Sequence, residues 1–207
     1  MNFLRGKYQS NSLLLKHFFL GLFFLFFFLF SPSFVLAANK TWDGGGTDQT
    51  CGGNPGDGNK WSCVYNWSGD TLPTSSDVAI FDNTSSKNCV IDVNITLVGL
   101  TINSGYSGTI TQNAEITLTT SGFTQYGGSF VGGSQKIDIN DGSFNLQGGS
   151  FTSTSGILSV ERNFTVSSAA SFNANSGTVQ FDGGNYDSST ITCTGNENFN
   201  LVSISKT

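Results

Sequence analysis

Apolar positions in the second half of the chain recur with a fixed period. Ile95 and Leu97 are followed 21 residues later by Ile116 and Leu118, then by Ile137 and Ile139, Leu158 and Val160, and Val179 and Phe181. Ten such positions in succession hold large apolar side chains. Two further columns share the period: Ile102, Phe123 and Phe144, and Phe130, Phe151 and Phe172. Successive columns are 7 residues apart, so each 21-residue unit has three segments. Within a segment apolar and polar residues alternate, as in Ile137-Asp138-Ile139 and Phe144-Asn145-Leu146. That alternation predicts a strand with one buried face. Between segments lie Thr120-Ser121-Gly122 and Asp141-Gly142-Ser143, Gly127-Gly128-Ser129 and Gly148-Gly149-Ser150, and Ser155-Gly156 and Ser176-Gly177. These residues make corners that a strand interior cannot.

Three short strands per fixed repeat predict an all-β fold, a parallel β-helix (β-solenoid) of 21-residue coils. Coils stack at about 4.8 Å, so equivalent positions become ladders of aliphatic and Phe side chains. A single unit cannot cover its own apolar face; stacking stabilises it. The period places Glu115 beside Lys136 and Asp141 beside Arg162. It also has faults. Thr165 stands where Phe is expected, between Phe164 and Val166, which predicts a one-residue slip repaired at Phe172. Asp182-Gly-Gly-Asn185 reads as an outward loop, and Val202 and Ile204 are two residues out of step.

Residues 1–37 read as a secretory signal. Arg5, Lys7 and Lys16 precede the apolar run Phe18–Phe30, and Val35-Leu36-Ala37 offers small residues before a cleavage point at Ala38. Thirteen residues make a helix of about 20 Å, short of a hydrocarbon core of about 30 Å. Extension of the run through residues 18–38 is the alternative, a retained anchor and the sole membrane contact expected. Residues 38–94 hold all three Trp, with Pro55 and Pro73, and read as an N-terminal cap with the first irregular strands. Residues 95–207 are the repeats. They end on a strand, which reads as truncation at the C-terminus within a longer protein, with a last coil open to edge association.

Charge is sparse, at 11% of residues. Nineteen Phe and the strict repeat argue against disorder all the same. All 14 acidic residues follow the signal but only six of the basic ones do, so the exported part carries a net charge of −8. That excludes the basic stripe nucleic-acid binding requires. The four cysteines, Cys51, Cys63, Cys89 and Cys193, all lie in the exported part. Cys89 and Cys193 are about five coils apart, roughly 24 Å, beyond disulfide reach. Cys51–Cys63 is the expected bridge, with Cys89 and Cys193 as buried small apolar residues. The lone His17 and the Cys spacing match no zinc pattern, and neither a metal nor a cofactor is expected.

The stretches Thr41-Trp42-Asp43-Gly44-Gly45-Gly46, Trp61-Ser62, Asn66-Trp67-Ser68-Gly69, Leu72-Pro73-Thr74 and Asp77-Val78-Ala79-Ile80-Phe81-Asp82 resemble the opening module of bacterial autotransporter-like and other repeat-rich surface proteins. Phe172 to Gly183 and Asn200 to Thr207 look like their repeats. The resemblance implies a right-handed, pectin-lyase-like parallel β-helix passenger on the cell surface. The Cys-bearing insert 47–60 departs from it.

Many β-helices are polysaccharide lyases or hydrolases with carboxylates on an outer face. Asn140, Glu161 and Asp182 are 21 apart and form one outward column, so Glu161 and Asp182 on neighbouring coils are the candidate acid/base pair or Ca²⁺ site. A solvated face beside Arg162 is the plainer reading, and no catalytic residue is assigned. Asn66, Asn83, Asn94 and Asn163 begin glycosylation sequons, which arise freely in an Asn/Ser/Thr-rich chain. Trp42, Trp61 and Trp67 are read as cap packing before sugar stacking. The expected function is non-enzymatic: an adhesin-like display stalk or binding surface, with glycans or surface proteins of other cells as partners. A carbohydrate-binding envelope module and, behind it, a polysaccharide-active enzyme are the alternatives.

Overall fold

The computed structural model describes residues 38–184, 189–195 and 197–205. The signal assigned to residues 1–37 lies outside the described residues, as does Asn185 of the expected loop. The body is a parallel β-solenoid whose coils each run through three faces. The first face is built from the leading part of β4 (Ile95–Ile102), the leading part of β6 (Ile116–Gln125), β8 (Ile137–Ile139), β11 (Ile157–Val160), β14 (Thr178–Phe181) and β16 (Leu201–Ile204). The second holds β1 (Asn39–Thr41), β2 (Val78–Phe81), the trailing halves of β4 and β6, β9 (Phe144–Leu146), β12 (Phe164–Val166) and β15 (Ile191–Cys193). The third is a separate five-stranded sheet of β3 (Cys89–Ile91), β5 (Thr109–Gln112), β7 (Ser129–Val131), β10 (Gly149–Thr152) and β13 (Ala170–Asn173). Every pairing between these strands is parallel.

On the first face the sequence period is the structural register. Ile95 pairs Ile116 and Leu97 pairs Leu118, which continue to Ile137 and Ile139, Leu158 and Val160, and Val179 and Phe181. The last step, Phe181 to Ile204, is longer by the two residues the sequence pattern shows. On the third face Phe130, Phe151 and Phe172 stack, with ring centroids 4.8 and 5.9 Å apart and planes within 10° of parallel. The expected slip also occurs: Phe144 pairs Phe164, one residue short of the period, and Phe172 restores it.

Three expectations are corrected. The second-face ladder passes from Leu100, not Ile102, to Phe123, and Ile102 pairs Gln125. The corner from Leu118 to Phe123 has two more residues than that from Leu97 to Leu100, and a bulge after Leu97 absorbs them. The chain does not break there, so β4 and β6 bend through two faces as single strands of 8 and 10 residues. Second, Glu115 and Lys136 lie side by side as the period places them, but the ion pair of Lys136 is with Asp138 at 3.0 Å, which projects from the same coil face two residues on. The Asp141–Arg162 pair does form, with Arg162 Nε 2.8 Å from Asp141 Oδ1. Third, Cys193 is only half-buried, because it sits on β15 at the last coil of its face; Cys89 is fully buried.

The N-terminal end is covered by residues 42–74. Trp42, Trp61 and Trp67 are buried and packed edge-on, with Trp42–Trp67 and Trp61–Trp67 centroids at 5.2 and 4.4 Å, over Phe81 and Tyr106 of the first coils. The indole N–H groups of Trp42 and Trp67 donate to Lys87 O and Trp61 O. Cys51 and Cys63 are bridged, Cα atoms 5.2 Å apart, closing the insert that carries Asp48–Cys51, a single helical turn.

Candidate functional site

The corners determine which side chains reach solvent. Asn residues at the corners bridge to the following coil: Asn88, Asn94 and Asn163 Oδ1 accept from the backbone N–H of Thr109, Glu115 and Thr190 at 2.9, 3.0 and 3.0 Å. Two glutamines do similar work from inside. Gln112 Nε2 donates to the carbonyls of Ala114, Gln135 and Lys136, and its Oε1 accepts from Gly133 N–H. Gln125 Nε2 donates to Gly127, Gly128 and Ser150 O. Both are fully buried. Their signal in the sequence is weak, since a Gln that ends a strand just before a Gly- or Asn-bearing corner is common.

The carboxylate column exists as a backbone column. Asn140, Glu161 and Asp182 donate in turn to Leu118, Ile139 and Val160 O on the preceding coils. The side chains diverge. Glu161 Oε2 accepts from Asp141 N–H at 2.6 Å, turned to the corner it borders. Asp182 Oδ2 takes a hydrogen bond from the hydroxyl of Ser159, a residue with no exposed surface, and lies 3.5 Å from Gln180 Nε2. Asp182 Oδ1 is buried and meets no hydrogen-bond partner among the described residues. Each carboxylate is engaged in tying its coil to a neighbour, on different groups. No cluster of three or more His, Cys, Asp or Glu among the described residues has the spacing to hold a metal ion.

Charge is segregated by face. Between residues 93 and 184 the charged residues are Glu115, Lys136, Asp138, Asp141, Glu161, Arg162 and Asp182. All seven lie on the first face or border it. The outward positions of the third face are Thr109, Thr111, Ser129, Val131, Ser150, Thr152, Ser171 and Asn173, and Ser150 Oγ donates to Ser129 Oγ at 3.1 Å along the ladder. The second face presents the column Thr101, Thr124, Asn145, Thr165 and Thr192. On the corner between these two faces stands Tyr126, 51% exposed.

In the cap, Lys87 Nζ is held by Gly44 O, Gly46 O and Asn66 Oδ1, and burial pushes its ammonium below the ordinary lysine range. The three Trp are too buried to offer a sugar-stacking face. Asn66 is buried with Nδ2 donating to Gly58 and Lys60 O, so that sequon cannot carry a glycan on the folded protein; Asn83, Asn94 and Asn163 are exposed. No family model, curated protein or solved structure matches the chain.

Proposed function

We propose that the chain is a non-enzymatic, secreted or cell-surface β-solenoid that works as an adhesin-like display stalk or binding surface. The observation that carries this reading is the segregation of charge over residues 93–184: a net-acidic first face favours solubility, while the second and third faces of those coils, mostly Ser, Thr and Asn, carry no charge and are left for contact. The side-chain engagements of Glu161 and Asp182 support a structural use of the carboxylate column. Export rests on residues 1–37, either as a cleaved signal or with residues 18–38 as an anchor. The autotransporter-like family remains part of the proposal. The test is expression of the full chain in its exporting host, with antibody labelling of intact cells and a polysaccharide panel scored for released sugar ends. Labelling of intact cells without release is expected. Release that Asp182→Asn abolishes would replace this reading with a carbohydrate-active enzyme, and chain confined inside the cell would end it.

A further inference from the structure

Resting on the display reading, we infer that the corner between the second and third faces, centred on Tyr126, is a binding site for a neutral polysaccharide. Tyr126 follows β6 and donates its N–H to Ile102 O at 2.7 Å, so its backbone is locked in the ladder while the ring stays in water. Gln147 is its neighbour in register on the following coil, and beyond it the corner is turned by glycines. Gly127 and Gly128 turn this coil and Gly148 and Gly149 the next, and Gly128 and Gly149 have φ of +63° and +74°. A Cβ on Gly148 would come within 2.5 Å of Tyr126 O, so the close stacking of the coils requires glycine there. The half-exposed ring therefore stands at a corner whose next two residues, Gly127 and Gly128, carry no side chains.

Polar groups border this corner on both faces. Ser129 and Ser150 continue it onto the third face, their hydroxyls linked at 3.1 Å. Gln147 lies next to Tyr126 in register on the following coil, and Asn145 is the outward residue of that strand. Hydroxyls and amides both donate and accept, as do sugar hydroxyls. The ring supplies the apolar patch against which the C–H face of a pyranose packs, an aromatic contact worth about 0.5–1.5 kcal/mol. Neither face carries Lys, Arg, Asp or Glu between residues 93 and 184, so nothing recognises a uronate, sulfate or phosphate, or a charged protein surface. The identical backbone step from coil to coil suits a polymer lying along the axis better than a single sugar.

The experiment titrates the full chain from an exporting host with neutral polysaccharides (dextran, laminarin, mannan, xylan) and with polygalacturonate, at low and high salt, by affinity electrophoresis and calorimetry. Binding to at least one neutral polymer is expected, unchanged by salt because no charge pair is screened. Tyr126→Ala should weaken it about tenfold and Tyr126→Phe should keep it, with both variants melting like the parent protein. Failure of the folded protein to bind any neutral polymer, affinity indifferent to Tyr126→Ala, or a salt-sensitive preference for polygalacturonate each overturns the inference. None of these touches the display reading, which stands or falls on labelling of intact cells and release of sugar ends.

Discussion

At the residue scale, the buried polar groups show where stability is concentrated. Gln112 satisfies three carbonyls and one N–H from a site without solvent. Gln112→Leu keeps the volume and leaves those groups unpaired, so a loss of about 2–4 kcal/mol is expected in urea unfolding, against little change for the exposed Gln135→Leu. Asp77 is buried where the cap meets the first coil. Burial disfavours its charge, but the N–H and hydroxyl of Thr74, both at 2.8 Å, outweigh that and hold the carboxyl below its ordinary value. Its folded pKa lies below the unfolded one, so its contribution is present above about pH 4 and is lost as pH falls through the folded pKa. Asp77→Asn should flatten the acid limb of stability in that window; an unaltered limb would show that another group governs it. Both glutamines were visible as residues, but their roles were not, because the carbonyls they satisfy come from corners 20 or more residues away as well as from their own.

At the element scale, the Phe ladders stack ring on ring through the core. Phe144 stacks between Phe123 and Phe164, with centroids at 5.2 and 4.7 Å, and meets Phe151 edge-on at 4.9 Å. Phe144→Ala should cost about 3–5 kcal/mol, because rings held by three coils cannot collapse into the gap. Thermal unfolding of that variant against Phe144→Leu separates cavity from contact: Leu should recover a large part of the loss. The first and third ladders were legible from the period alone. The second was legible only in part. The bulge after Leu97 and the interior Gln125 arise where two extra corner residues had to be accommodated, and strand continuity through a corner depends on hydrogen bonds the pattern does not encode.

At the scale of the whole molecule, a stacked rod is only as secure as its ends. The Cys51–Cys63 bridge spans 12 residues and closes the insert beside the Trp cluster. Loop-closure entropy for that span gives about 3 kcal/mol. Reduction should therefore raise amide exchange across residues 43–74 first, leaving β7, β10 and β13 protected until global unfolding. Simultaneous loss of protection throughout would show that cap and coils form one cooperative unit.

The coil could be read from the chain in one dimension: its length, its three faces, the identity of two ladders, the fault at Phe164 and the disulfide pairing. These follow from local alternation and a fixed period, which survive in one dimension because each coil packs only on its neighbours. The tertiary structure decided what the side chains do with that frame. Glu161 and Asp182 share a column yet turn to different partners, and the three Trp vanish into the cap. Tyr126, unremarked in the pattern, is left half exposed at a corner turned by glycines. Hydrogen bonds and burial between coils made those choices, and they depend on distances in space that a period of 21 residues does not contain.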